Sequence, residues 1–342
     1  MTPPTDDLPR VTLNVKAYRQ EGIVREAIES AFAQTYPNLE ILLSDDCSPD
    51  GTFRVMQEMA AAYRGPHTVR LNRNPVNLGL VGHTNRIWEL AEGRLVTGCA
   101  GDDIAEPDRV ARLVEAWRAG AGRVTLVHSR ATRIDLGGRV IGEARPHPRV
   151  VADPSPLTIV RNRVNAIGAT CLYDRRVHAH FGPLPPEAAV EDGPQFFRAA
   201  LLGEIAYVDA PLVRYRVGGL SDPGEDSPGH RYLRGHRIKS LAWGVANAKC
   251  FLRDLEKVGD VPDKAEIRAI CLARIERDGF EVACARATPL GRWLRLPGAA
   301  WRSWRRGDRF YFRQALRHAL GPVYIRRHDA RAAAEGAAGG AA

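Results

Sequence analysis

Between Val11 and Ala100 the chain alternates short β-branched or apolar runs with helical stretches, and two strand-like runs stop abruptly at paired aspartates. VTLNV at Val11–Val15 is followed by a pattern that puts Ile23, Val24, Ala27, Ile28, Ala31 and Phe32 on one helical face. LEILLSDDCSPDGT gives a second strand, and its Asp50-Gly51-Thr52 turn leads into a helix through Phe53, Val55, Met56, Met59 and Ala60. TVRLNRN at residues 68–74, the helical NLGLVGHTNRIWELAEG and the strand RLVTGCA complete the series before Asp102 and Asp103. Strands alternating with helices imply an α/β fold with a doubly wound, mostly parallel sheet flanked by helices. In such sheets ligands bind beyond the carboxyl ends of the strands, so Asp45-Asp46 and Asp102-Asp103 point to one site.

Past Asp103 the alternation loosens. A helix is expected around Val110 to Arg118, then the strand TLVHSRATRID, a turn at Gly137-Gly138 with a hairpin-like insertion, and a Pro-rich passage from Arg145 to Pro156. IGATCLYD reads as a further strand, EDGPQFFRAALLG as a helix with an acidic start, and IAYVDAPLVRYRV as two extended segments. From His236 only helical patterns remain, forming a C-terminal helical appendage that ends in the low-complexity AAAEGAAGGAA, which reads as disordered.

At 342 residues the chain can bury a core without disulfide staples. Its six cysteines are scattered without a CxxC pair, which argues against a zinc site and favours a reducing, cytoplasmic setting. The segment MTPPTDDLPR has no signal-peptide layout, and no apolar run is long enough to span a bilayer. The net charge of +9 is concentrated between Arg292 and Arg331, where arginines alternate with Trp293, Trp301, Trp304, Phe310, Tyr311 and Phe312. That mixture suits either a solvated helical face or peripheral contact with the inner face of a membrane. No nucleic-acid fingerprint accompanies it, so no nucleic-acid partner is expected.

Each acidic cluster has a chemical reading and an ordinary one. A strand-end aspartate accepts strongly from a uracil-like imide N–H, whereas Asp46, Ser48 and Asp50 also suit an Asx turn capping the next helix. Gly101 permits close approach of another group. Asp102 and Asp103 repel unless a cation offsets them, and Mg²⁺ or Mn²⁺ bridging a diphosphate does so, as does the dipole of a helix start. Glu191 and Asp192 open a helix, where a carboxylate projecting into a pocket can abstract a hydroxyl proton or simply complement the dipole. Alternation puts Arg214 and Arg216 on one face, suited to a diphosphate or to solvent. The histidines, His83 among them, show no metal-ligand spacing and are taken as incidental.

Taken together, VTLNVKAYRQEGIVREAIESAFAQTYPNLEILLSDDCSPDGT, NPVNLGLVGHTNRIWELAEGRLVTGCAGDDIAEPDRV, NAIGATCLYDRRV and VEDGPQFFRAALLGEIAYVDAPLVRYRVGGLS resemble the inverting nucleotide-sugar glycosyltransferases of family 2, with the GT-A fold. The likeness covers roughly residues 9 to 222. It implies a GT-A domain over 1–225, a helical region over 226–330 and a disordered tail over 331–342. It also implies a UDP- or dTDP-linked sugar donor and a divalent metal (Mn²⁺ or Mg²⁺). Ala17 and Tyr18 would line the nucleoside pocket, Asp45 with Asp46 would bind the base, and Gly101, Asp102 and Arg216 would meet the nucleotide sugar. Asp102, supported by Asp103, would hold the metal, and Asp192, beside Glu191, would act as catalytic base.

Two departures stand out. The family's acidic motif commonly has another Asp where this chain has Ala100, and many relatives carry a histidine near Gly218, a role left here to Arg216, Ser221 or the following loop. The QxxRW element of processive synthases is absent, which favours single addition. The expected reaction is displacement at the anomeric carbon with inversion, toward a glycan, lipid-linked or small-molecule acceptor in cell-surface polysaccharide or glycoconjugate synthesis. Transfer to a natural product or peptide, and a non-catalytic nucleotide-sugar binding protein, are the alternatives. A nucleotidyltransferase would need a Gly-rich phosphate loop where this chain has KAYRQEG.

Overall fold

The computed structural model describes residues 8–218 and 236–320. Four β-then-α steps build the first part: β1 (Val11–Ala17), α1 (Val24–Phe32), β2 (Leu39–Asp45), α2 (Thr52–Ala62), β3 (Thr68–Arg73), α3 (Gly79–Leu90) and β4 (Leu95–Ala100), followed by the short β5 (Ile104–Ala105) and α4 (Arg109–Ala119). β6 (Val124–Ile134) and β7 (Val140–Ala144) form the expected hairpin, whose turn needs Gly138 at φ +82°. The Pro-rich passage contains two short helices, α5 (Pro148–Ala152) and α6 (Pro156–Asn162). Proline at the first turn preorganises each of them, and His147 and Ser155 cap them by accepting from the N–H groups of Arg149 and Thr158. A 3-10 turn at Gly168–Thr170 leads into β8 (Leu172–Asp174), α7 (Arg175–Phe181), α8 (Asp192–Leu202) and β9 (Glu204–Arg216).

Among the described residues the sheet runs β3-β2-β1-β4-β8-β6-β9-β5, with β7 on β6. β3-β2-β1-β4 is parallel throughout, as the alternation predicts. Helices cover this part of the sheet, so Val11, Leu13, Val15, Ile41, Leu43 and Leu95 are all fully buried. Beyond β4 the sheet is mixed: β8 enters antiparallel to β4 and β6, while β6 and β9 pair in parallel. IAYVDAPLVRYRV forms one strand rather than two segments. Its register shifts between the pairs Val208–Ser129 and Pro211–Arg130, and this irregularity accommodates the proline inside a continuous ladder.

Two compact units divide the chain. The first is Met1–Asp222 with Arg253–Lys264, and the second is Pro223–Leu252 with Ala265–Ala342. The segment 253–264 joins the first unit through a buried bidentate pair, Arg198 Nε to Asp254 Oδ2 at 2.7 Å and Nη2 to Oδ1 at 3.0 Å. The expected boundary at 225 and the tail over 331–342 lie outside the described residues, as does Ser221. In the second unit the helices Leu296–Arg306 and Phe310–Ala319 pack around Tyr311, Ala299, Ala315 and Cys284. All six cysteines are free, five of them buried.

Candidate active site

The two acidic strand ends meet at the carboxyl edge of the parallel strands. Ala17 pairs in register with Asp45, and Asp46 N–H donates to the Ala17 carbonyl at 3.0 Å, so Ala17, Tyr18, Asp45 and Asp46 share one corner. Asp45 is fully buried. Its Oδ2 accepts from Ser48 N–H at 3.0 Å and lies 3.4 Å from Arg73 Nε, while Oδ1 has no partner in the protein. Asp46 is committed to structure: its Oδ1 accepts from Asn74 Nδ2 at 2.8 Å and from Leu78 N–H at 2.9 Å. The expected Asx geometry is also present, with Thr52 N–H donating to Asp50 Oδ1 at 3.1 Å.

The loop after β4 is tied to β1. Gly101 N–H donates to the Lys16 carbonyl at 2.8 Å, and a Cβ on Gly101 would lie 2.4 Å from Gln20 Oε1 and 2.8 Å from the Ala17 methyl. The close approach expected at this glycine is therefore made by the loop carrying Gln20. Asp102 is half-buried, and burial raises its carboxyl above the usual range against the opposing hydrogen bond from Gln20.

Two residues take positions other than those expected. Asp103 was to support a metal, yet it is 1% exposed and turned inward, where its Oδ1 accepts from Arg216 N–H at 2.9 Å. Burial, then the charge of Asp102, pushes it up to about 7. Arg216 was to face a diphosphate. Its guanidinium is instead engaged inside the protein: Nε donates to the Asp102 carbonyl at 2.8 Å, Nη1 to those of Asp135 at 3.1 Å and Leu136 at 2.8 Å, and Nη2 to Glu26 at 2.7 Å. Loop carbonyls after β4 and β6 together with Glu26 of α1 therefore enclose this side chain. Arg214, two residues earlier, remains exposed and pairs with Glu106 at 2.8 Å.

Opposite these loops stands the start of α8. Asp192 is half-buried, and its carboxylate packs closely against Gly168. Burial, reinforced by the charge of Glu191 and opposed by Lys16, pushes Asp192 up to about 7. A Cβ on Gly168 would lie 1.9 Å from Asp192 Oδ1, so with glycine there the carboxylate can sit against the 3-10 turn undisplaced. Arg109, fully buried, holds that turn to β4 through one nitrogen: Nη2 donates to Thr97 Oγ1 at 2.7 Å, the Gly98 carbonyl at 2.9 Å and the Ala169 carbonyl at 2.7 Å.

Between the acidic groups lies a residue that sequence reasoning passed over. Lys16, near the end of β1, pairs through Nζ with Glu191 Oε1 and donates to Thr84 Oγ1 at 3.4 Å. Its ammonium also lies within the field of Asp192 and Asp103. In register beside Lys16 stand Ser44 on β2 and Ala100 on β4. Ser44 Oγ bonds His83 Nε2 at 2.7 Å and accepts from Asn72 at 2.9 Å, and Asn72 in turn donates to Asn74, the partner of Asp46. His83 is thus part of the polar edge, not incidental, and burial holds it neutral by pushing it down to about 4. A strand-end lysine beside a serine was the available signal, but partnership across strands is set by register.

A sheet with carboxylates from three elements gathered at its carboxyl edge defines an α/β fold of the GT-A glycosyltransferase type. The description "Glycosyl transferase family 2" matches residues 12–181, and over that domain the chain belongs to this family. It is 36% identical over 140 residues to the succinoglycan biosynthesis protein ExoO of Rhizobium meliloti (strain 1021), covering 41% of this chain and 38% of that protein. It is 28% identical over 141 residues to chondroitin synthase of Escherichia coli, covering 41% and 20%. The chain thus spans well under half the length of these relatives. Among solved structures, S. aureus TarS 1–349 in complex with UDP-GlcNAc superposes with TM-score 0.58 at 16% identity, covering 94% of this chain and 88% of that one. The mannosyltransferase PcManGT of Pyrobaculum calidifontis, in complex with GDP-Man and Mn²⁺, gives 0.52 at 20% identity over 94% and 89%. These likenesses establish the fold.

Proposed function

We propose that the protein transfers a sugar from a nucleotide-sugar donor to an acceptor hydroxyl with inversion at the anomeric carbon. The observation that carries this reading is the convergence of Asp102 and the Glu191–Asp192 helix start on the strand edge beside Asp45. The unpartnered Oδ1 of Asp45 suits the imide N–H of a uracil or thymine, which supports a UDP- or dTDP-linked donor. TarS was solved with UDP and with UDP-GlcNAc, in keeping with that choice.

The donor set at Asp102 fits a hard cation: a half-buried carboxylate oxygen, raised above its usual range and waiting for positive charge. No group of three His, Cys, Asp or Glu able to hold a metal occurs among the described residues, so Asp102 would share Mn²⁺ or Mg²⁺ with diphosphate oxygens brought by the donor. When bound, the ion offsets charge growing on the leaving diphosphate. The protein's own part is proton transfer. Asp192 takes the proton from the acceptor hydroxyl as the acceptor oxygen bonds to the anomeric carbon, and the bond to the diphosphate oxygen breaks with its electron pair leaving on that oxygen. The close packing of Gly168 against Asp192 limits where that carboxylate can sit.

ExoO is named for succinoglycan biosynthesis, which favours a glycan or lipid-linked acceptor in surface-polysaccharide assembly over a small-molecule, natural-product or peptide acceptor. Peripheral contact with a membrane is also proposed, through the second unit's exposed tryptophans and the arginines of its helix Phe310–Ala319. No helix among the described residues is long and apolar enough to cross a membrane.

The test is thermal shift with a panel of nucleoside diphosphates and nucleotide sugars, with and without Mn²⁺, on the wild type and Asp102→Ala. Metal-dependent stabilisation by one nucleotide, lost in the variant, is expected. Silence across the whole panel would put the non-catalytic reading ahead.

A further inference from the structure

Lys16 is a cation built into the site, and its surroundings are unusual for a lysine. It sits on the carboxyl edge between Ser44 and Ala100 in register, and its ammonium reaches across to the first turn of α8 to meet Glu191. Its side chain is 20% exposed and that of Glu191 10%, so the pair is shielded from water on most sides. The neighbouring strand position, Ala100, offers no competing carboxylate, which leaves the ammonium to the α8 acids. Asp192 follows Glu191 directly, and its carboxylate packs against Gly168 of the 3-10 turn. The two acids are thus held by different partners.

Resting on the transferase reading above, we propose that Lys16 is a positioning residue of the reaction: it binds Glu191 as its counter-ion and offsets that charge, leaving Asp192 as the carboxylate free to accept the acceptor's proton.

Adjacent carboxylates in shielded surroundings do not both ionise near neutral pH without a cation, because each charge disfavours the other. The groups facing this pair are Lys16 from β1, Cys171 and Tyr173 from the segment around β8, and the neutral His83 with Thr84 from α3. Asp103 lies within the field of the same ammonium. Of these groups Lys16 alone carries positive charge. Without it Glu191 and Asp192 share a proton, and the base is occupied at the pH where it must act.

Two measurements on the full-length protein test this in Lys16→Met, Lys16→Arg and Asp192→Asn. The first is the pH dependence of nucleoside diphosphate release from the donor that stabilises the wild type. Lys16→Met should move the acid limb of kcat/KM upward by about one pH unit or more, a loss of roughly tenfold at pH 7 that recovers by pH 9. Lys16→Arg should restore the wild-type limb. A uniform loss at every pH, or an unmoved limb, would show Lys16 to be merely structural and overturn the proposal.

The second needs no turnover, so a failure of the transferase reading leaves it intact. Thermal stability is followed from pH 5 to 9 in the same variants. Lys16→Met should continue to lose stability above pH 7, where the wild type has levelled, because its acid pair still holds a proton there. Adding Asp192→Asn should abolish that extra slope. Identical slopes in wild type and Lys16→Met would overturn the proposal whether or not the protein turns over a sugar nucleotide.

Discussion

The backbone N–H of Arg216 donates to Asp103 Oδ1 at 2.9 Å while its guanidinium grips the Asp102 carbonyl, so the last residue of β9 fixes the acidic loop after β4. An arginine expected to hold a ligand's phosphates holds the loop that carries the candidate metal ligand. Four protein oxygens accept from this one buried side chain. Arg216→Met strands three carbonyls and the inward face of the loop, and should cost about 2–4 kcal/mol of stability. Urea unfolding measures it. A change under about 0.5 kcal/mol, the size of an ordinary surface substitution, would mean the loop does not depend on Arg216.

What could be read from the sequence follows from how each residue gets its role. Asp45, Asp46, Asp102, Glu191 and Asp192 stand where an apolar run stops or a helix begins, and periodicity alone finds such places. The parallel half of the sheet was legible for the same reason. Lys16, Gln20, Gly168 and Arg109 acquire theirs from register and from contacts between segments far apart in the chain, which no local pattern carries. Arg216 misleads because alternation predicts which face a side chain takes but not whether loops from distant parts of the chain cover that face.

Asp192 and Asp103 are both pushed up to about 7 by burial, and this gives a stability signature with a definite sign. Between about pH 4, where a free aspartate titrates, and pH 7, the folded protein keeps protons that the unfolded chain has released. The contribution of these two groups is therefore greatest at the acid end of this window and falls as pH rises through 7, then levels, while His83, His128, His178 and His318, pushed down to about 4 by burial, contribute with the opposite sign. The trend of the two aspartates runs opposite to that of the usual salt-bridged aspartate. The melting temperature of the wild type should therefore fall relative to that of Asp192→Asn as pH rises across the window, since the histidines act alike in both proteins. Parallel curves for wild type and Asp192→Asn would show that Asp192 does not titrate in this way.

Gly168 is the tightest contact on the catalytic side, since a Cβ there would lie 1.9 Å from Asp192 Oδ1. Something must move, and the carboxylate is the mobile partner. Displacing a base by about 1 Å costs on the order of 10²-fold in rate. Gly168→Ala should therefore reduce turnover to that extent while leaving donor binding, which depends on the opposite loops, within about threefold, a difference of less than 1 kcal/mol. The comparison is kcat against donor KM. Loss of donor affinity in parallel with rate would indicate that the turn supports the whole edge rather than Asp192.

The second unit supplies the last prediction. Leu290, Trp293, Leu294, Trp301 and Trp304 are exposed, with Trp304 at 80%, and tryptophans of this kind favour a water–lipid boundary. Arg277, Arg309, Arg313 and Arg317 line a cleft of about 450 Å³ in the same unit, with Phe310 beneath Arg277. Basic residues near an anionic leaflet contribute about 1 kcal/mol each, so Arg309→Gln with Arg313→Gln should weaken binding to phosphatidylserine-containing vesicles roughly 30-fold. Both side chains are exposed, so the fold should tolerate the change. Trp301→Ser with Trp304→Ser should weaken binding to the same vesicles without changing its salt dependence, because the tryptophans act through apolar burial. Cosedimentation of the full-length protein with neutral and anionic vesicles reads both effects. Equal partition to the two kinds of vesicle, or indifference to all four substitutions, would remove the membrane from the account and return these helices to the role of a solvated face.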